Sequence, residues 1–224
     1  MAKSSFLPRR NKGYFGQKVT KTLFGNSPLI NLCFHKVMFL SDVDIKREVK
    51  RKAITIEPFD ETRLQPASYD IVLGNNFLVN DAHTSTFIDP ANKVFPKTHD
   101  VRVADGEAFV LHPGVSILGY SKDYFGSDHY LIEVNGKSSL ARIGLLVHNS
   151  AALINPGHFL QVALELCNLN NVPIILRPGM AIAQLTFSPL SSQPKQSYKK
   201  NGRYSKNNVV GYIPPKVISS RKKK

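Results

Sequence analysis

The sequence predicts a mainly β protein, built from many short strands and entered through one short helix. Three observations predict it. Apolar runs of β type recur at Tyr69–Leu73, Ala108–Leu111, Val115–Tyr120, Tyr130–Val134, Leu145–Val147, Phe159–Leu166, Ile174–Leu176 and Ile182–Phe187. Pro113-Gly114, Pro156-Gly157 and Pro178-Gly179 punctuate these runs; proline presets φ for the first corner of a type II turn, and glycine accepts the positive φ of the second. The helical pattern is confined to one stretch near Ser41. Short strands punctuated in this way mean a barrel or sandwich rather than an alternating α/β sheet.

Taken in order, residues 1–37 form a basic extension that stays outside the fold. They are acid-free and rich in Lys, Arg and Ser, with scattered aromatics. That composition fits an organelle-type leader, or upstream sequence translated from an early start, since Met38 opens a new segment. At Ser41-Asp42-Val43-Asp44 an N-cap is offered, and Val43, Ile45, Val49 and Ala53 recur at spacings suited to one helix. Lys50, Arg51 and Lys52 fall near its end, where they complement the helix dipole. The strand runs follow, giving a β domain over 38–192. From Ser191 hydrophobicity falls and Lys, Ser, Gln, Asn and Gly dominate, so residues 193–224 are expected to form a basic C-terminal segment, mobile until something binds it.

Composition excludes several classes. The chain has 224 residues, 42% hydrophobic and 21% charged, which is globular rather than disordered. Its two cysteines, Cys33 and Cys167, cannot build a disulfide framework or a zinc cage. Phe24 to Leu40, the longest apolar candidate, is broken by Asn26, Pro28, Asn31, His35 and Lys36, so no membrane span is expected. The net charge of +14 resides at the ends: 1–37 carries seven basic side chains and 166–224 eleven, with no acids, whereas 38–165 is net −4. A DNA reader usually carries its basic stripe on a folded face, so nucleic acid is a distant reading and a small anion fits as well. The expected compartment is the cytoplasm, unless residues 1–37 direct the chain to an organelle.

Few residues could carry chemistry. In His158–Leu166, alternation puts Leu160, Val162, Leu164 and Leu166 on one face and Gln161, Ala163 and Glu165 on the other. Pattern alone favours a solvent-facing Glu165; lining a pocket, it becomes a candidate general base. Gly136-Lys137-Ser138-Ser139-Leu140-Ala141-Arg142 offers a close backbone approach, two hydroxyls and two cations, equally a phosphate cradle or an ordinary capped turn. Asp70 could be structural or touch a sugar. Tyr198, Arg203, Tyr204 and Asn207, with Lys199 and Lys200, are a solvated tail by default and a flap over a nucleotide by the sharper reading. The histidines show no metal spacing, and the His-x-Glu and Pro-Cys-x-x-Cys of zinc deaminases are missing.

Together these segments resemble the dCTP deaminase branch of the trimeric dUTPase superfamily. The resemblance runs from Met38 to about Asn208. It rests on Met38-Phe39-Leu40-Ser41-Asp42-Val43-Asp44-Ile45, Gln65-Pro66-Ala67-Ser68-Tyr69-Asp70-Ile71-Val72-Leu73-Gly74 and Gly136 to Gly144. It continues through Val147-His148 to Asn155-Pro156-Gly157, Leu164-Glu165-Leu166, Arg177-Pro178-Gly179-Met180 and Gln184-Leu185. The resemblance implies a dUTPase-like β-barrel subunit in a homotrimer, with active sites between neighbours and a C-terminal segment closing over dCTP. It implies Glu165 as the base that deprotonates the attacking water, without zinc, with Mg²⁺ carried by the triphosphate. Lys137, Ser138, Ser139 and Arg142 would hold phosphates, and Leu140 and Ala141 would belong to the same nucleotide-binding segment. Ala151, Asn155 and the backbone at Ala163 and Leu164 would line the nucleotide site, and Tyr198, Arg203 and Asn207 would close on the ligand.

Three departures shape the expected activity. Lys137 replaces the arginine of Gly-Arg-Ser-Ser and lacks its bidentate fork. Leu153 stands where one set of deaminases has arginine. Asn155 stands where dUTPases, bifunctional enzymes and most deaminases have aspartate; an amide cannot take a proton, so triphosphate hydrolysis should be crippled. The expectation is therefore a deaminase giving dUTP and ammonia. The alternatives are a dUTPase or bifunctional enzyme releasing dUMP and pyrophosphate, or a nucleotide-binding module without catalysis.

Overall fold

The computed structural model describes residues 39–81, 84–202 and 204. Helix α1 (Asp42–Lys50) begins where Ser41 Oγ accepts the Asp44 backbone N–H at 3.3 Å, with acids in its first turn and bases in its last. Its inward face differs from the expected stripe. Ile45 and Glu48 are buried, Val43 is 67% exposed, and Ala53 lies beyond the helix. Glu48 tolerates burial because Arg47 and Arg51 donate to its carboxylate at 3.0 and 3.4 Å. Lys52 then takes φ 60° and turns the chain into the first strand.

The strands are β1 (Ile54–Glu57), β2 (Leu64–Gln65), β3 (Ser68–Asn80), β4 (Thr98–Arg102), β5 (Phe109–Leu111) and β6 (Ser116–Ser127). After them come β7 (Tyr130–Gly136), the one-turn helix α2 (Ser138–Ala141), β8 (Leu145–Leu146), β9 (Leu153–Ile154), β10 (His158–Asn168), β11 (Ile174–Leu176) and β12 (Ala181–Pro189). The single turn α3 (Tyr198–Asn201) follows. Every expected strand is present. The ones sequence pattern missed are β1, two-residue β2 and β9, and polar β4, whose Thr-His-Asp-Val-Arg pairs with β3 alone and remains largely exposed. Gly114, Gly157 and Gly179 adopt φ of 72°, 86° and 85°, as their Pro-Gly turns require.

The main sheet runs β8-β10-β6-β3-β12-β7-β9, with β1 on β6 and β2 and β4 on β3, while β5 and β11 pair separately. Long β3 serves two walls: Tyr69 to Val72 pair with β12, and Phe77 and Leu78 with β6. A register shift between Leu73 and Phe77 lets the strand bend between them. Of the barrel or sandwich expected from sequence, the described residues form an open, curled sheet. Its terminal strands β8 and β9 are two residues each, too short for a closing ladder, and residues 147–152 cross the gap instead. Tyr69, Phe77, Phe125, Phe187, Ile132 and Leu164 fill the concave side, each fully buried; a side chain of this size contributes about 1.5–3 kcal/mol by leaving water. Beneath the bend Arg63 Nη1 donates to Asp123 Oδ2 at 2.5 Å, with Asp123 1% exposed and the guanidinium 4.9 Å from the Tyr69 ring centroid. Among the described residues no helix is long and apolar enough to cross a membrane.

Candidate active site

β10 alternates as its sequence predicts. Val162, Leu164 and Leu166 are buried, Ala163 is exposed, and Glu165 is half-buried on the outward face. One oxygen of Glu165, Oε2, accepts the Asn149 backbone N–H at 3.0 Å, which ties the strand to the segment crossing the gap. Asp100, Leu78, Leu118 and Glu165 are successive cross-strand partners over β4, β3, β6 and β10, so they share one face. The carboxylate therefore ends a row whose two middle members are leucines. Because Leu164 turns its side chain into the core, only its backbone can serve a ligand.

Tyr120 is Ala163's cross-strand partner, and sequence reasoning passed over it. Only 4% exposed, it has a buried hydroxyl without a hydrogen-bond partner. Burial, and the negative charge of Asp100, push its phenol far above its usual range. The signal available in sequence was an aromatic closing the apolar run Val115–Tyr120, which reads as core.

The second cluster surrounds α2. Ser138, Ser139, Ala141 and Arg142 are exposed, and Leu140 packs half-buried on the core. Lys137 is not a free cation: its Nζ donates to Asp70 Oδ1 at 2.6 Å, with side-chain exposures of 24% and 12%. Asp70 also accepts from Gln65 Nε2 at 3.4 Å. Asp70, Gln184 and Asn135 form a cross-strand row over β3, β12 and β7. Gln184 accepts from Ser68 Oγ at 2.9 Å and donates to the Gly136 carbonyl at 3.2 Å. A polar ladder thus holds the Gly136–Lys137 corner in place. The Lys137–Asp70 pair spans 67 positions, so no local spacing announced it.

Ala151 and Asn155 are both exposed, on either side of β9. The Asn155 carbonyl accepts the His158 N–H at 2.9 Å, and Gly157 N–H donates to Ser127 O at 2.7 Å. The C-terminal segment docks on this turn. Tyr198 N–H donates to the Pro156 carbonyl at 3.2 Å, and its ring stacks on His158 at a 4.1 Å centroid distance. Lys199 Nζ reaches Asp128 Oδ2 at 3.0 Å and lies 4.6 Å from the Phe159 ring centroid. Burial holds the His158 imidazole below its ordinary pKa. Arg203 and Asn207 lie outside the described residues.

The chain thus brings Glu165 together with Ala163, Tyr120 and Asn149, and Lys137 through Arg142 together with Asp70. Asn155 lies one peptide from the Pro156 carbonyl that receives Tyr198. Among the described residues no group of three or more His, Cys, Asp or Glu side chains is placed to hold a metal ion.

Comparison with known proteins agrees with this architecture. Residues 39–190 match the family model described as dCTP deaminase-like. The chain is 48% identical over 162 residues to a Tropheryma whipplei (strain Twist) protein named dCTP deaminase, dUMP-forming, covering 72% of this chain and 83% of that one. Proteins of the same name from Mycobacterium bovis and Coprothermobacter proteolyticus are 42% and 38% identical, each covering 75% of this chain and 90% of the relative. A crystal structure of 2'-deoxycytidine 5'-triphosphate deaminase from Agrobacterium tumefaciens superposes with a TM-score of 0.53 at 22% identity. That match covers 69% of this chain, which spans about half (49%) of the Agrobacterium chain.

Proposed function

The chain belongs to the dCTP deaminase-like family, and we propose that it hydrolyses the exocyclic C–N bond of dCTP, giving dUTP and ammonia. Glu165 accepts a proton from water, and the resulting hydroxide adds to C4 of the cytosine. The same carboxyl then passes the proton to the amino group, which leaves as ammonia. Water is consumed, and no oxidant or reductant is needed. The observation that carries this reading is the state of Glu165: half-buried, one oxygen pinned by the Asn149 N–H, on the same face as small Ala163. Pinning orients the base while engaging only one of its two oxygens.

The substrate is dCTP with its bound Mg²⁺. Ser138, Ser139 and Arg142 receive the triphosphate, with Lys137 contributing the ammonium protons that Asp70 does not use. Ala151 and the backbone at Ala163 and Leu164 line the base. The assembly is a homotrimer whose sites lie between neighbouring subunits, which brings one chain's Glu165 to another chain's phosphate cradle.

Asn155 sets the product. Phosphorus–oxygen cleavage in this superfamily depends on an aspartate at this position, and the exposed amide of Asn155 cannot deprotonate water. The relatives' names support a second reading, in which the chain carries dUTP on to dUMP and pyrophosphate. Incubation with Mg²⁺ and dCTP, followed by anion-exchange chromatography, separates them. Accumulating dUTP supports the reading given first; dominant dUMP would transfer the assignment to the second.

A further inference from the structure

The two halves of β10 do not share one register on β6. From His158 to Gln161 the partners run from Ser127 to Tyr124; from Ala163 to Cys167 they run from Tyr120 to Ser116. Between the Gln161 and Ala163 pairs β10 advances two residues and β6 four, so β6 bulges there. Ser121 occupies that bulge and is 1% exposed. Its Oγ accepts the Val162 backbone N–H at 2.7 Å and donates to the Asp123 carbonyl at 2.7 Å. One hydroxyl thus joins the two strands across the break in their ladder. On the other side of β6, Ser121 pairs with Leu73, where the register on β3 shifts as well. Gly74 admits this crowding, since a Cβ there would lie 2.9 Å from Tyr120 O.

We infer that Ser121 is a positioning residue for deamination, whose hydroxyl locks the bulge that sets where Glu165 stands along the sheet. The inference rests on the proposed reading of Glu165 as the base. If the register of His158–Gln161 continued, Glu165 would face Tyr120. It faces Leu118 instead, two residues and about 7 Å further along β6. Alternation cannot choose between these registers, because a slip of two residues leaves every side chain on its own face. The choice needs a contact tied to one register, and the Ser121 hydroxyl supplies it at Val162, three residues before Glu165. Removing that hydroxyl leaves a buried N–H and a buried carbonyl unpaired, so the strand gains by shifting to recover partners. A displacement of about 1 Å at a reacting group costs on the order of 10²-fold in rate.

The test uses the full chain with Mg²⁺-dCTP. Ser121→Ala should lower kcat about 10–10²-fold with KM held within twofold. Ser121→Thr, which keeps the hydroxyl, should bring kcat back to within threefold of wild type. Without nucleotide, the Asn149 amide that Glu165 accepts should exchange its hydrogen about tenfold faster in Ser121→Ala, relative to the amides of His158–Gln161, as read by NMR. Ser127→Ala is the control. It removes another buried hydroxyl of β6, one that donates to Ala53 O, and should lower the urea midpoint comparably with kcat within twofold. Wild-type kcat in folded Ser121→Ala, equal kcat losses in the two alanine variants, no rescue by threonine, or an unmoved Asn149 amide would each overturn the positioning role. Should Ser121→Ala not fold, Ser121→Cys, whose thiol bonds weakly, carries the same comparison with a loss of about fivefold. If the wild-type chain releases no ammonia, the proposed function fails, while amide exchange still decides whether Ser121 places Glu165.

Discussion

Glu165 and Lys137 are two half-buried charges at the rim of one curled sheet, and they are held in opposite ways. Lys137 is matched by a carboxylate, Asp70, at 2.6 Å, within a ladder of Gln65, Gln184 and Ser68. Glu165 is matched by a neutral backbone N–H and flanked along its row by leucines. A charge paired with its opposite is costly to separate from it, whereas a carboxylate held through one oxygen by a backbone N–H is oriented with its second oxygen unengaged. On the proposed reading, the difference separates a side chain that shapes a binding corner from one that does acid–base work.

The largest expected effect comes from adding a carboxylate where the chain has an amide. Asn155→Asp should raise dUMP formation from dUTP by about 10²–10⁴-fold, the usual contribution of a general base. Pyrophosphate release reads it, and no change would mean that phosphate hydrolysis is limited elsewhere. Next comes the fully matched charge. Arg63→Met leaves Asp123 buried without its cation and should destabilise the fold by about 3–5 kcal/mol, read by urea denaturation. Activity at low temperature should survive, because Arg63 bonds to Asp123 and Pro58 rather than to Glu165, Lys137 or Asp70.

Lys137→Met sharpens the contrast at the rim. It strands Asp70, costing about 1–3 kcal/mol of stability, and should raise KM for dCTP while leaving the affinity for deoxycytidine unchanged. Equal loss for both ligands would remove Lys137 from the phosphates. The smallest effect is a pH slope. Burial depresses the His158 pKa from 6.5, so the folded state favours the neutral ring. Its contribution is complete above about 6.5 and is lost as pH falls through the folded-state value. His158→Gln should flatten that part of the stability profile, and an unchanged slope would assign it to another group.

The strands that sequence revealed are those whose pattern a core enforces. β10 alternates because Val162, Leu164 and Leu166 face the interior, and the Pro-Gly turns reveal themselves through φ. What sequence concealed depends on long-range pairing. β4 reads as loop because it pairs with β3 alone and carries charge, and Val43 keeps the helical spacing yet is exposed, because spacing does not say which side is covered. Glu165 was legible as a candidate because a lone carboxylate interrupts an apolar strand. Its Asn149 partner, the Lys137–Asp70 pair and the His158–Tyr198 stack were not, since each joins residues that only the folded sheet brings together.

The central claim is that Glu165 moves the proton in cytosine deamination. Ammonia release from Mg²⁺-dCTP, measured for wild type and Glu165→Gln alongside nucleotide affinity by calorimetry, tests it most directly. The account predicts release by wild type and a loss of about 10²–10⁴-fold in the variant, with dCTP still bound. Ammonia released by Glu165→Gln at the wild-type rate would contradict it.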